Sequence, residues 1–141
     1  MRDVETLAGL IRRFEGLRLK AYICPAGIPT IGYGSTGPDI QLGMVWTKEQ
    51  AEARMLRDAS RFLSVARKYC PGLQDEPLAA IADFAYNLGA ARLKGSTLRR
   101  KINLGDMDGA KTELSKWVRG GGRILPGLVI RRQAEAGLLG L

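Results

Sequence analysis

The sequence contains no histidine. That absence excludes Ser-His-Asp and Cys-His nucleophilic catalysis, zinc sites built on imidazole, and any histidine proton shuttle. Cysteine is nearly as scarce: Cys24 and Cys70 are the only two. Two thiols cannot make a four-thiolate zinc site, and their wide separation is not that of a short-spaced redox pair. One disulfide could join them, but this is no disulfide-dense scaffold. No apolar run approaches the roughly 20 residues that cross a membrane. The first apolar stretch, flanked by Asp3 and by Arg12 and Arg13, is too short and too interrupted for a signal peptide. The expectation is a protein made in soluble form in a cytoplasm. Its chemistry must come from carboxylates, hydroxyls, a thiol, Lys or Tyr.

What is present suits one compact domain spanning residues 1–141, because 45% hydrophobic residues suffice for a core of that size. Lys and Arg number 22 against 14 Asp and Glu, a net charge of +8. Such a surface attracts polyanions: nucleic acid, anionic lipid or an acidic wall polymer. Basic clusters at Arg12-Arg13, at Arg99 to Lys101 and at Arg131-Arg132 invite a nucleic-acid reading. Against it, only 6% of residues are aromatic, and no helix-turn-helix or zinc spacing appears.

Periodicity divides the chain. Val4, Leu7, Ala8, Leu10, Ile11 and Phe14 repeat with the spacing of an amphipathic helix that Gly16 ends. From Leu19 to Gly37, Pro and Gly punctuate short alternating runs, which predicts hairpin strands with tight turns. Beyond that everything reads as helix. Thr47 with Gln50 forms a capping box opening a helix to about Lys68, and Pro71-Gly72 breaks it. Pro77 suits the first turn of a helix stopping at Gly89. Ser96 and Asp106 are N-cap candidates, residues 119–122 form a glycine-rich break, and Pro126 begins a last helix ending near Leu139. The fold class predicted is α+β, mostly helical with a small antiparallel sheet near the N-terminus.

Glu15 lies where the first helix ends, beside Phe14. Against apolar surface a carboxyl keeps its proton toward neutrality, as a general acid requires. The plainer alternative is a solvated Glu15 paired to Arg18. The surrounding strings decide between them. Glu15-Gly-Leu-Arg-Leu-Lys-Ala-Tyr22 and Gly27-Ile-Pro-Thr-Ile-Gly-Tyr-Gly34 resemble the phage-type lysozymes, glycoside hydrolase family 24. That family carries a Glu, an acidic residue nine positions on, and a Thr six beyond it. Glu15 and Thr30 match, whereas the middle position is Cys24. Phe84 to Gly89, Gly95 to Asn103, Trp117, and Gly127 to Arg132 with Glu135 extend the resemblance over nearly the whole chain.

The resemblance implies a bilobal lysozyme-like domain and hydrolysis of the β-1,4 bond between N-acetylmuramic acid and N-acetylglucosamine. Glu15 would protonate the departing oxygen while Thr30 orients a water on the opposite sugar face. Cys24 has three possible roles, in this order: a thiolate in the carboxylate's place, a weak water-orienting group, or a covalent nucleophile. Arg18 and Lys20 are candidates to lower its pKa. Without the family match, a buried structural thiol would be the default. Tyr86 and Asn87 lie on the helix that faces the cleft in relatives and are candidate substrate contacts; for Asn87 a plain polar helix face is about as good a reading. Ser35, where many relatives have His, is expected to serve local structure. No cofactor or metal is implied. The biological expectation is an endolysin, a monomer whose partner is bacterial peptidoglycan, without nucleic acid or stable membrane insertion. It would be made in the host cytoplasm, depend on a separate membrane pore protein, and act in the periplasm or cell wall after release. The alternative is a non-catalytic basic protein that binds peptidoglycan or nucleic acid.

Overall fold

The computed structural model describes residues 2–141. Helix α1 (Arg2–Glu15) buries Leu7, Ala8, Leu10 and Ile11 and ends where Gly16 takes a positive φ of 69°. Strands β1 (Arg18–Ile23) and β2 (Pro29–Gly32) pair antiparallel, with Tyr22 opposite Thr30 and a bulge between Arg18 and Tyr22. Residues 44–46 extend this sheet through Ala21 N–H donating to the Met44 carbonyl and Trp46 N–H donating to that of Leu19.

Among the described residues, six further helices and two very short strands carry the remainder. Helix α2 (Lys48–Tyr69) opens with the expected capping box, since Thr47 and Gln50 each bond the other's backbone N–H. Helix α3 (Asp75–Leu88) has Leu78 to Ala85 buried without interruption, so its neighbours surround it. Those neighbours are α1, α2 and α7 (Pro126–Leu139). Between them run α4 (Ala90–Lys94), α5 (Thr97–Asn103) and α6 (Met107–Leu114). Ser96 and Asp106 cap α5 and α6 by accepting from Arg99 N–H and Gly109 N–H.

Two elements escape the sequence pattern. The single turn α4 is too short to show a period, and the glycine-rich break holds a minimal hairpin, β3 (Arg119–Gly120) with β4 (Arg123–Ile124). The core centres on α3, with Phe84 fully buried and edge-on to Trp117 at 5.5 Å. Each such buried side chain contributes about 1.5–3 kcal/mol relative to exposure. This helix is therefore a rigid post, and the residues on its C-terminal half meet α1, the hairpin and α7 together.

Candidate active site

Glu15, at the last turn of α1, points its carboxylate over Gly34. A Cβ added at Gly34 would lie 2.5 Å from Glu15 Oε1, and Gly34 also has a φ of 76°. Glycine is required there twice, for the left-handed backbone and for the approach of the carboxylate. On its other side Glu15 Oε2 accepts from Arg131 Nη1 at 2.7 Å. This corrects both sequence expectations for Glu15: its partner is neither an apolar wall nor Arg18. Arg18 lies instead over the Tyr22 ring, 4.4 Å from its centroid.

Arg131 is itself held by α3. Its Nε and Nη2 donate to Asp83 Oδ2 and Oδ1 at 2.9 and 2.8 Å, a bidentate fork. Burial alone would raise the Asp83 carboxyl, but the bonds from Arg131 and Glu135 hold it below the ordinary carboxylate range. Next along α7, Arg132 Nη2 donates to Asn87 Oδ1 at 2.6 Å and to Glu135 Oε2 at 3.2 Å. Burial, with a hydrogen bond to Asp83, pushes the Glu135 carboxyl well above its ordinary value. Arg131 and Arg132 are thus interior groups, 3% and 1% exposed. Their expected place in a basic surface cluster is corrected accordingly, because each guanidinium is spent on a carboxylate or amide of the fold.

Across the hairpin, Cys24 opens the turn between β1 and β2. Its N–H donates to the Ile28 carbonyl, and its carbonyl accepts from Gly27 N–H. The thiol is half-exposed and free. Its pKa is lowered by the Ile28 backbone N–H first, with Ala26 N–H adding to it. Backbone donors therefore do what was expected of Arg18 and Lys20, because a tight turn aims several N–H groups at one atom. Thr30 is buried and its hydroxyl donates to the Ile28 carbonyl at 2.8 Å, leaving the oxygen lone pairs as acceptors. Tyr22, opposite Thr30, lies within electrostatic reach of both Glu15 and Cys24; burial and those two negative groups raise its phenol.

The two α3 candidates are engaged with the fold. Tyr86 O–H donates to the Tyr33 carbonyl at 2.5 Å, tying α3 to the hairpin segment, and burial raises its phenol far above the ordinary value. Asn87 uses its side-chain oxygen on Arg132. Ser35 Oγ donates to Asp58 Oδ2 at 2.9 Å, and Arg54 Nε donates to the other oxygen of that carboxylate. Cys70 is buried at the end of α2, and its thiol is pushed up to about 11 by burial. Among the described residues no group of three Cys, Asp or Glu is placed to hold a metal ion.

Sequence reasoning missed Arg131, Asp83, Tyr22 and the steric role of Gly34. One signal was available: Asp83 is the lone charge in the apolar run from Leu78 to Ala85, and such a carboxylate needs a buried cation.

Comparison with known proteins places the chain among phage lysozymes and endolysins. The phage lysozyme family profile matches residues 12–135. An endolysin of Acyrthosiphon pisum secondary endosymbiont phage 1 is 42% identical over 134 residues, covering 92% of this chain and 91% of its own. The solved endolysin from Escherichia coli O157:H7 phage FAHEc1 superposes with a TM-score of 0.82 at 32% identity, over 95% of this chain and 90% of that one. The muramidase domain of SpmX from Asticaccaulis excentricus gives 0.85 at 28% identity, over 94% and 93%. A purely wall-binding or nucleic-acid-binding protein is not favoured by such relatives.

Proposed function

The chain belongs to the phage lysozyme family, and from that premise we propose how its own residues carry the reaction. It is a glycoside hydrolase, an endolysin that cleaves the β-1,4 bond between N-acetylmuramic acid and N-acetylglucosamine in peptidoglycan. Glu15 is the general acid that protonates the departing glycosidic oxygen. The observation that carries this assignment is its mounting: a carboxylate seated over Gly34 and bonded to a buried guanidinium. Arg131 is shared with the bidentate Asp83, so Glu15 faces a nearly neutral ion pair and not a bare cation. That arrangement fixes the direction in which the carboxyl points.

Cys24 and Thr30 act on the opposite sugar face. The turn's backbone N–H groups favour a Cys24 thiolate, which takes the place of the carboxylate common in the family. It stabilises positive charge developing on the sugar and accepts from the attacking water. The Thr30 oxygen accepts the second bond of that water. Asn87, whose oxygen is held by Arg132, presents its amide nitrogen to the sugar, and Tyr86 sets the spacing between α3 and the hairpin.

Residues 1–141 work as one lysozyme domain, a monomer that acts on the cell wall. None of the described helices is long and apolar enough to cross a membrane. The proposed route is synthesis in the host cytoplasm followed by passage through a pore made by a separate protein. The test is Glu15→Gln, which keeps an acceptor for Arg131 but has no acid proton. It is expected to fold normally by thermal melt and to lose at least about 10²-fold in lysis of chloroform-treated Gram-negative cells. Parental lysis by the folded variant removes Glu15 from its role.

A further inference from the structure

Of the basic clusters in the sequence, Arg131-Arg132 is spent inside the fold, but Arg99-Arg100 is not. These two arginines, with Lys94, line an open groove of about 610 Å³ beside α4 and α5. No acidic residue lines it. Lys101, the last of that cluster, is drawn instead to Asp106 at 3.6 Å. None of the lining residues belongs to the Glu15 site.

Arg99 is fixed before any ligand arrives. Its Nε donates to the Tyr69 carbonyl at 2.9 Å, and its Nη1 to that of Lys94 at 3.1 Å. The guanidinium also lies over the Tyr69 ring, 4.7 Å from its centroid. Asn103 Nδ2 donates to the same Tyr69 carbonyl at 2.9 Å. Every partner of Arg99 is a neutral carbonyl or ring, so its charge is oriented but not neutralised. Little side-chain entropy is left to lose when an anion meets it. Arg100 likewise has a neutral partner, Thr97 Oγ1 at 2.9 Å. The planar fork of a guanidinium matches phosphate oxygens.

One further lining residue narrows the source of that phosphate. Leu104 follows the last turn of α5 with 79% of its surface exposed, the most exposed large hydrophobic among the described residues. A hydrated phosphate polymer gains nothing from it. A bilayer does, since headgroups take the cations while the acyl boundary takes the apolar side chain. We propose that this groove is a peripheral docking site for anionic phospholipid. Arg99 and Arg100 hold headgroup phosphates, Lys94 adds attraction, and Leu104 reaches below them. Three cations and one leucine give reversible attachment and not insertion. The enzyme is thereby held at a membrane face through a surface separate from the Glu15 site.

The test is co-sedimentation of the full chain with vesicles of phosphatidylglycerol and phosphatidylcholine, against vesicles of phosphatidylcholine alone. The parent should bind the anionic vesicles and leave the neutral ones in solution. Each cation near the surface contributes about fivefold, so Lys94→Gln with Arg100→Gln should weaken binding about 30-fold. Lys48→Gln with Arg119→Gln removes the same net charge from exposed positions elsewhere. That control should cost less than about threefold. Leu104→Asn should weaken vesicle binding about tenfold, with retention on long-chain inorganic polyphosphate unchanged. Thermal melts establish that each variant is folded. A parent that ignores anionic vesicles overturns the proposal, as does a control pair that weakens binding as much as the groove pair. Parental vesicle binding by Leu104→Asn also overturns it, leaving a groove for polyanions in general. The assay holds no wall substrate, so its outcome is independent of the assignment of Glu15.

Discussion

Gly34→Ala tests the seating of the acid directly. The backbone there has a φ of 76°, and the new Cβ would stand 2.5 Å from Glu15 Oε1 and 3.1 Å from its Cδ. The left-handed conformation alone costs about 1–2 kcal/mol for a residue with a Cβ, which for a chain of this size lowers Tm by about 3–8 °C. The collision has a separate effect. Glu15 must swing away, lengthening its 2.7 Å bond with Arg131, and a displacement near 1 Å costs about 10²-fold in rate. Gly105→Ala is the matched control, because Gly105 has a φ of 77° with nothing within 4 Å of the added atom. Both variants should lose similar stability in thermal melts. Only Gly34→Ala should lose lysis, measured by turbidity at a temperature where both are folded. Lysis by folded Gly34→Ala above about a tenth of the parental rate would refute the steric reasoning, as would equal loss in Gly105→Ala.

At Cys24, exchange for Asp should keep substantial lysis, exchange for Ala should lose most of it, and Ser should fall between; parental lysis by Cys24→Ala reduces the thiol to packing. Because the turn lowers its pKa, the acidic limb of the parental profile should have its midpoint below the ordinary thiol value of about 8.5 and rise with pH as thiolate forms. Native protein should take up one alkylating group, at Cys24, while Cys70, buried with its thiol pushed up to about 11, reacts only in denaturant; intact-mass spectra showing native Cys70 modification would contradict this. Tyr86→Phe strands the Tyr33 carbonyl and should cost about 1–3 kcal/mol in denaturant melts; an unchanged midpoint would show that the bond contributes nothing. Finally, attraction of a chain with net charge +8 to anionic wall material should weaken as salt shortens the Debye length below about 8 Å, and lysis unchanged up to molar salt would contradict it.

Much of the architecture could be read without coordinates, for local reasons. The Thr47–Gln50 capping box, the Ser96 and Asp106 caps and the stop at Gly16 each depend on groups within four residues. Such interactions are encoded by spacing alone. The same holds for the hairpin turn at Cys24, where Pro25 and Gly27 set the chain direction. The acid, the thiol and Thr30 were legible because their strings resemble those of a family, not because their spacing dictates chemistry.

The mounting of the acid was not legible. Glu15 and Arg131 are 116 positions apart, and Asp83 and Arg131 are 48 apart. In sequence, Arg131-Arg132 looks like one more solvated basic pair. Only the packing of α7 on α3 turns both side chains inward, where the absence of water makes each charge demand a partner. Helical periodicity says which face of α7 is buried but not what waits across from it. That choice belongs to the tertiary structure, because burial is what converts a weak surface pair into an obligatory one.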